Sequence, residues 1–190
     1  MMENERELLI CELIDVVDDL LQYINPALIP NTGANIGYAL RKARIPSEVA
    51  SVSGGIFFRE GKVVRSGSVL FGADNEISRL ILTAMKFEPG IRCVANLFFH
   101  DTALSVCEDL LYEITELENE NELPGISIMD WGVAFAAKDG IPDVIYSRGR
   151  TGRPPVFRLF GENPTEVRTK IIKISQHMDK DNFGGKINGN

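Results

Sequence analysis

Apolar residues recur at helical spacing at Ile10, Leu13, Ile14, Val17, Leu20, Leu21 and Ile24, with Glu12, Asp15, Asp18 and Asp19 between them. Side chains three and four apart share one helix face, so this stretch predicts an amphipathic helix covering a core, stopped by Asn25 and Pro26. Residues 28–40 break the pattern: rich in Gly, Pro and Asn, they predict a loop leading into a short strand. Strand-type runs follow over 49–58, at Val63-Val64 after a Gly61-Lys62 turn, and over 69–72. Asp74 then stands as N-cap of a helix reaching about Lys86, with Ile77, Leu80, Ile81, Ala84 and Met85 on one face and Pro89-Gly90 ending it.

Beyond it, 94–99 predicts a strand and 101–117 a second helix. Residues 116–124 read as a solvated acidic loop, while 130–138 fit helix and strand equally. A strand over 142–146, a basic loop over 147–155 and a strand over 156–160 come next. Asn163-Pro164 opens a last helix carrying Val167, Ile171, Ile172 and Ile174. This predicts one domain over 1–178, with 1–25 as its N-terminal helix, and a loose tail over 179–190. Strands and helices interleave without internal repeat, so the class is α/β or mixed α+β in layers.

Composition narrows the function. With 190 residues, 44% of them hydrophobic, the chain can bury one sizeable core. A net charge of −7 argues against non-specific nucleic-acid binding, which needs Lys and Arg against phosphates. A local basic loop can still hold a small anion. Cys11, Cys93 and Cys107 are odd in number, widely spaced and set among apolar residues, which predicts buried free thiols in a reducing compartment. No signal peptide is visible, and no run reaches the roughly 18 apolar residues of a membrane span. The expectation is a soluble, cytoplasmic protein with no membrane partner and no direct contact to nucleic acid.

Several chemistries lack their residues. His100 and His177 are the only histidines and have no partners at zinc-ligand spacing, so no metal site is predicted. There is no Walker loop, nucleophile elbow or dinucleotide fingerprint. His100 reads as a strand-end residue. Three segments remain. Residues 71–76 lead through Gly72, Asp74 and Asn75 into a helix start, which suits either an anion on free N–H groups or plain capping by Asp74. Residues 147–155 carry Arg148, Gly149, Arg150, Gly152 and Arg153, a phosphate-binding turn or a solvated surface loop. Arg92 and Asn96 flank the start of a strand, either facing a cleft or with Arg92 paired to a carboxylate such as Glu88.

Taken in order, these segments resemble the ThiN family of thiamine-phosphate synthases from about Leu28 to Ile174. The carriers are Ile29-Pro30, Asn35-Ile-Gly-Tyr-Ala-Leu40, Glu48 to Val52 with Gly54 and Ile56, Phe71-Gly72, Arg79 with 82–87, Pro89, Arg92, Asn96, Trp131-Gly132, 142–146 and 152–155. The resemblance implies a three-layer α/β/α domain with a mixed, largely antiparallel sheet, related to class II aldolases and epimerases. It implies a reaction joining hydroxymethylpyrimidine diphosphate to hydroxyethylthiazole phosphate, with release of pyrophosphate. It also implies fusion or pairing with a kinase or a helix-turn-helix domain, and leaves a homodimer open. Two positions depart: Gly55 replaces a family arginine, and Glu76 a family histidine, with Asp74 in place of a serine. Both changes move charge the wrong way for a leaving diphosphate.

The resulting expectation is a domain that binds thiamine phosphate or a precursor phosphate with catalysis reduced or lost. Arg148, Arg150, Arg153 and the Gly72 helix start would hold phosphate, Asn35, Arg92 and Asn96 would line the cleft, and Gly149, Gly152 and Arg79 would complete it. Magnesium is chemically reasonable beside Asp74 and Glu76. The alternatives are an active synthase in which Arg59 or Arg65 replaces the missing arginine, and a ligand-sensing module of a transcriptional regulator.

Overall fold

The structure, a computed structural model, describes residues 2–117 and 140–184. The ambiguous 130–138 segment, Trp131-Gly132, most of the acidic loop and the end of the tail lie outside the described residues.

Helix α1 (Met2–Tyr23) begins earlier than its apolar repeat and buries Leu9, Leu13, Val16, Val17 and Leu20. Strands β1 (Asn35–Ala39) and β2 (Val49–Val52) follow. The predicted 49–58 run then breaks at Gly54 and Gly55, whose φ values of 76° and 85° turn the chain into a separate hairpin. That hairpin is β3 (Ile56–Arg59) and β4 (Lys62–Arg65), closed by Glu60 and Gly61, both at positive φ as a two-residue hairpin turn favours. Strand β5 (Val69–Phe71) leads through Gly72 and Asp74 into α2 (Asn75–Phe87). Strand β6 (Cys93–Leu97), helix α3 (Asp101–Asp109), strands β7 (Ile114–Glu116), β8 (Val144–Ser147) and β9 (Val156–Gly161), and helix α4 (Pro164–Gly184) follow among the described residues.

Two expectations are corrected. The helix predicted to reach Leu117 ends at Asp109, because Leu111 turns left-handed at φ 58° and Tyr112 N–H donates back to Cys107 O. Ile114-Thr115, β-branched, pairs with β8 instead. The tail expected from 179 starts too early, since α4 remains helical to Gly184.

Among the described residues seven strands form one sheet in the order β5-β2-β1-β6-β9-β8-β7. Neighbours are antiparallel except β7 and β8, so the sheet is mixed and largely antiparallel. Period-two alternation sends Ile36, Ala95, Phe157 and Leu159 to one face, against α1, α3 and α4. Val49, Val94, Ile145 and Phe160 face α2 on the other. The architecture is three layers, α/β/α. Helix α2 sits flush on β1 because Gly37 has no side chain there: a Cβ would fall 2.1 Å from Ile77 Cγ2. This contact seats the start of α2 over the Asn35 end of the sheet.

Candidate functional site

A cleft of about 780 Å³ opens where α2 starts. Its walls come from residues 30–35, Gly54-Gly55, residues 73–76, the end of β6 at Asn96, and residues 154–156. Antiparallel pairing places Asn35 opposite Asn96, and Asn96 opposite Arg158, on the same sheet face. Beyond the first turn of α2 this face turns from apolar to polar, and the cleft lies there, against residues 73–76.

Asn35 is buried and fully engaged. Its Oδ1 accepts from Val52 N at 3.1 Å, while Nδ2 donates to Val52 O at 2.9 Å and to Asp74 Oδ2 at 2.8 Å. Its amide thus continues the β1–β2 ladder one step and pins the helix cap. Asp74 Oδ1 accepts from Glu76 N at 2.9 Å and Ile77 N at 3.1 Å. Of the two readings of this junction, capping is the one realised: two first-turn donors that an anion would need are already taken by a carboxylate.

Glu76 Oε1 accepts from Asn96 Nδ2 at 3.0 Å. Although the side chain keeps contact with solvent, loss of hydration in the cleft pushes its carboxyl above the ordinary value, with help from Asp74 and against the pull of Arg158 and Asn96. Arg158 is 4% exposed, and its Nε has no hydrogen-bond partner among the described residues. Burial lowers its pKa while Glu76 raises it, and a guanidinium stays charged throughout. The sequence reading missed Arg158. Its signal was present, as one charged residue inside Val156-Phe-Arg-Leu-Phe160.

Among the expected residues, Asn35, Asp74, Asn75 and Asn96 line this cleft, together with Gly55 and Glu76. The others fall elsewhere. Gly72 N–H donates to Val49 O at 2.9 Å, extending the β2–β5 ladder, and Arg79 is exposed on α2. Arg92 sits at the opposite end of β6 from Asn96; its Nε and Nη2 donate to Ala39 O at 3.1 and 2.7 Å, and it lies over the Tyr38 ring. Glu88, its expected partner, accepts from Ile141 N. Arg148 pairs with Asp101 and, at 3.7 Å, Glu116, over the Phe99 ring. Arg150 and Arg153 exchange backbone hydrogen bonds across a tight turn with Gly149 and Gly152 at positive φ. From this turn only Pro154 and Pro155 reach the cleft wall. Arg59 and Arg65 lie on the β3–β4 hairpin, outside the lining.

Among the described residues no group of three or more His, Cys, Asp or Glu is placed to hold a metal. His100 caps α3, its Nδ1 accepting from Thr102 N at 3.2 Å. No described helix is long and apolar enough to cross a membrane.

A family model described as thiamine-phosphate synthase ThiN matches residues 12–173. The chain belongs to the ThiN family. It is 30% identical over 179 residues to the thiamine-phosphate synthase ThiN of Methanothermobacter thermautotrophicus, covering 90% of each chain. It is 33% identical over 160 residues to the bifunctional thiamine biosynthesis protein ThiDN of Methanocaldococcus jannaschii, covering 83% of this chain but only 38% of that longer protein. The crystal structure of the C-terminal domain of a phosphomethylpyrimidine kinase superposes with a TM-score of 0.82 at 29% identity, over 90% of this chain and all of that one. A sugar-phosphate aldolase from Thermotoga maritima, at 13% identity and a TM-score of 0.58, shares the fold alone. These likenesses agree with the three-layer architecture of this ThiN domain.

Proposed function

We propose that this ThiN domain binds thiamine phosphate, or one of its pyrimidine and thiazole phosphate precursors, in the Asn35–Glu76 cleft, with coupling catalysis reduced or lost. One observation carries the reading: Gly55 and Glu76, the two departures from the family pattern, both line that cleft. A leaving diphosphate needs cations or N–H donors at the point where charge develops. Gly55 offers no side chain, Glu76 offers a carboxylate, and Asp74 holds two helix-start donors. The Arg150–Arg153 turn, joined to the cleft through Pro154 and Pro155, is the basic element at its rim.

Calorimetry with thiamine phosphate and each precursor, beside an assay for thiamine phosphate formation, tests both halves. Binding without turnover is expected. Turnover at rates typical of biosynthetic enzymes would show that catalysis survives, and no binding at millimolar concentration would remove the assignment.

An active synthase is the second reading, and Arg158 favours it, being a guanidinium buried beside Asn96 and Glu76. Robust product formation that Arg158→Lys abolishes, with the fold retained, would support it.

A further inference from the structure

At the end of the sheet away from the cleft, α1 and the loop after β1 form one surface. Arg6 Nη2 donates to Ser47 O at 2.7 Å, tying the first turns of α1 to that loop. Glu5, Leu8 and Arg41 border a shared groove of about 260 Å³, next to Tyr38 and Arg92. The loop is held in shape by its own bonds: Leu40 N donates to Glu48 O at 3.0 Å and Arg44 N to Glu48 Oε2 at 2.7 Å. Charges on this surface are separated rather than paired. Glu5 and Glu7 on α1 are exposed, as are Arg41, Lys42 and Arg44 on the loop. Among the described residues none of these five side chains is in an ion pair. Each half also carries an apolar side chain in water, Leu8 at 63% exposure and Ile45 at 53%.

We propose that this surface is the interface of a two-fold dimer of this chain, in which the Arg41–Ile45 loop of each copy docks on the first turns of α1 of the other. A patch with an acidic half beside a basic half becomes complementary to itself after a two-fold turn, so each loop meets the other copy's acids. An acidic macromolecule would gain from the loop but meet Glu5 and Glu7, and a basic one the reverse. A second copy satisfies both halves at once. Ion pairs at a wet rim contribute little, so the contact needs an apolar centre. Ile45 entering the other copy's groove beside Leu8 supplies it. A loop already held in shape loses little freedom on docking. The cleft lies at the Asn96 end of β6 and the groove at the Arg92 end, so both clefts of the dimer stay open.

Sedimentation velocity on the full chain and two charge-reversed variants tests the pairing. One variant carries Arg41→Glu with Arg44→Glu, the other Glu5→Lys with Glu7→Lys, and circular dichroism checks the fold of each. The parent is expected to dimerise, and each variant alone to associate at least about ten-fold more weakly, because like charges then face each other. Mixed one to one, the two variants are expected to restore the dimer, since each loop again meets its opposite charge. Ile45→Glu, which leaves the original charges in place, is expected to give monomer. A parent monomeric up to about 100 μM would overturn the proposal. So would folded variants as dimeric as the parent, a mixture that stays monomeric, or association that grows into open chains with concentration, which a closed two-fold contact forbids.

Discussion

Asn96 and Glu76 are tied side chain to side chain, Nδ2 to Oε1 at 3.0 Å, joining the end of β6 to the first turn of α2. The bond holds a carboxylate where the family pattern has an imidazole, in a setting that disfavours its charge. The sign of the pH effect follows from that setting. Burial first, and Asp74 second, raise the folded pKa, while Arg158 and Asn96 oppose them without cancelling the rise. The folded state therefore favours the protonated form, and stability is lost as pH climbs from the ordinary glutamate value through the folded one. Glu76→Gln should accordingly melt higher than the parent at pH 7, with the gap closing below about pH 4. Melting curves from pH 4 to 7 check this, and a variant less stable at pH 7 contradicts it.

Restoring the family arginine at position 55 should fail for a backbone reason. Gly55 has φ 85°, and a Cβ there would meet Ala34 O at 3.0 Å, against a carbonyl held by its bridge to Ile56. Gly55→Ala and Gly55→Arg should each lose about 1–2 kcal/mol in urea unfolding, since the strain begins at Cβ. A stable Gly55→Arg beside an unstable Gly55→Ala would show that the loop reshapes around the longer side chain.

Lys170 is the buried cation that fastens α4 to the sheet. Its Nζ donates to Phe160 O at 2.7 Å and pairs with Asp143 at 2.6 Å and Glu166 at 3.0 Å. Lys170→Met removes the donor and leaves its acceptors behind. Because Asp143 and Glu166 keep some contact with water, the loss should fall near the low end of the roughly 3–5 kcal/mol for breaking a buried pair. A change under about 1 kcal/mol in urea unfolding would mean that water replaces the lysine without penalty.

Thiol reactivity should divide cleanly. Cys93 and Cys107 are buried; burial pushes the Cys107 thiol up to about 12 and that of Cys93 well above its ordinary value. Cys11, expected to be buried with the other two, is instead exposed, because it falls on the solvent side of α1, off the Leu9–Leu13–Val16–Val17–Leu20 stripe. A disulfide reagent at pH 8 should titrate Cys11 alone in the native protein and all three thiols in denaturant. Fast native labelling of Cys107 would show that α3 opens readily.

Features written within a few residues were legible in the sequence. The α1 stripe, the Asp74 cap, the turn at Gly61 and the start of α4 at Pro164 each depend on neighbours at most four positions away. Asp74 and Asn75 were singled out from a helix start, Asn96 from a strand end and Asn35 from the family resemblance, and the four line one cleft. Misreadings arose where distant segments compete. Residues 111–116 have apolar spacing that a helix could use, but β8 offers Ile114 and Thr115 a strand partner. The arginines of 148–153 look like a phosphate grip along the chain, yet Arg148 is claimed by Asp101 on α3.

The sequence by itself determined the layered class, the family resemblance and the two charge departures, because periodicity, capping and residue identity are properties of the chain. Tertiary structure alone decided that Gly55 and Glu76 face one cavity, that Arg92 lies at the far end of β6, and that Arg158 is buried opposite Asn96. The reason is register: an antiparallel sheet reverses direction at every strand, so which side chains become neighbours depends on how the whole core packs.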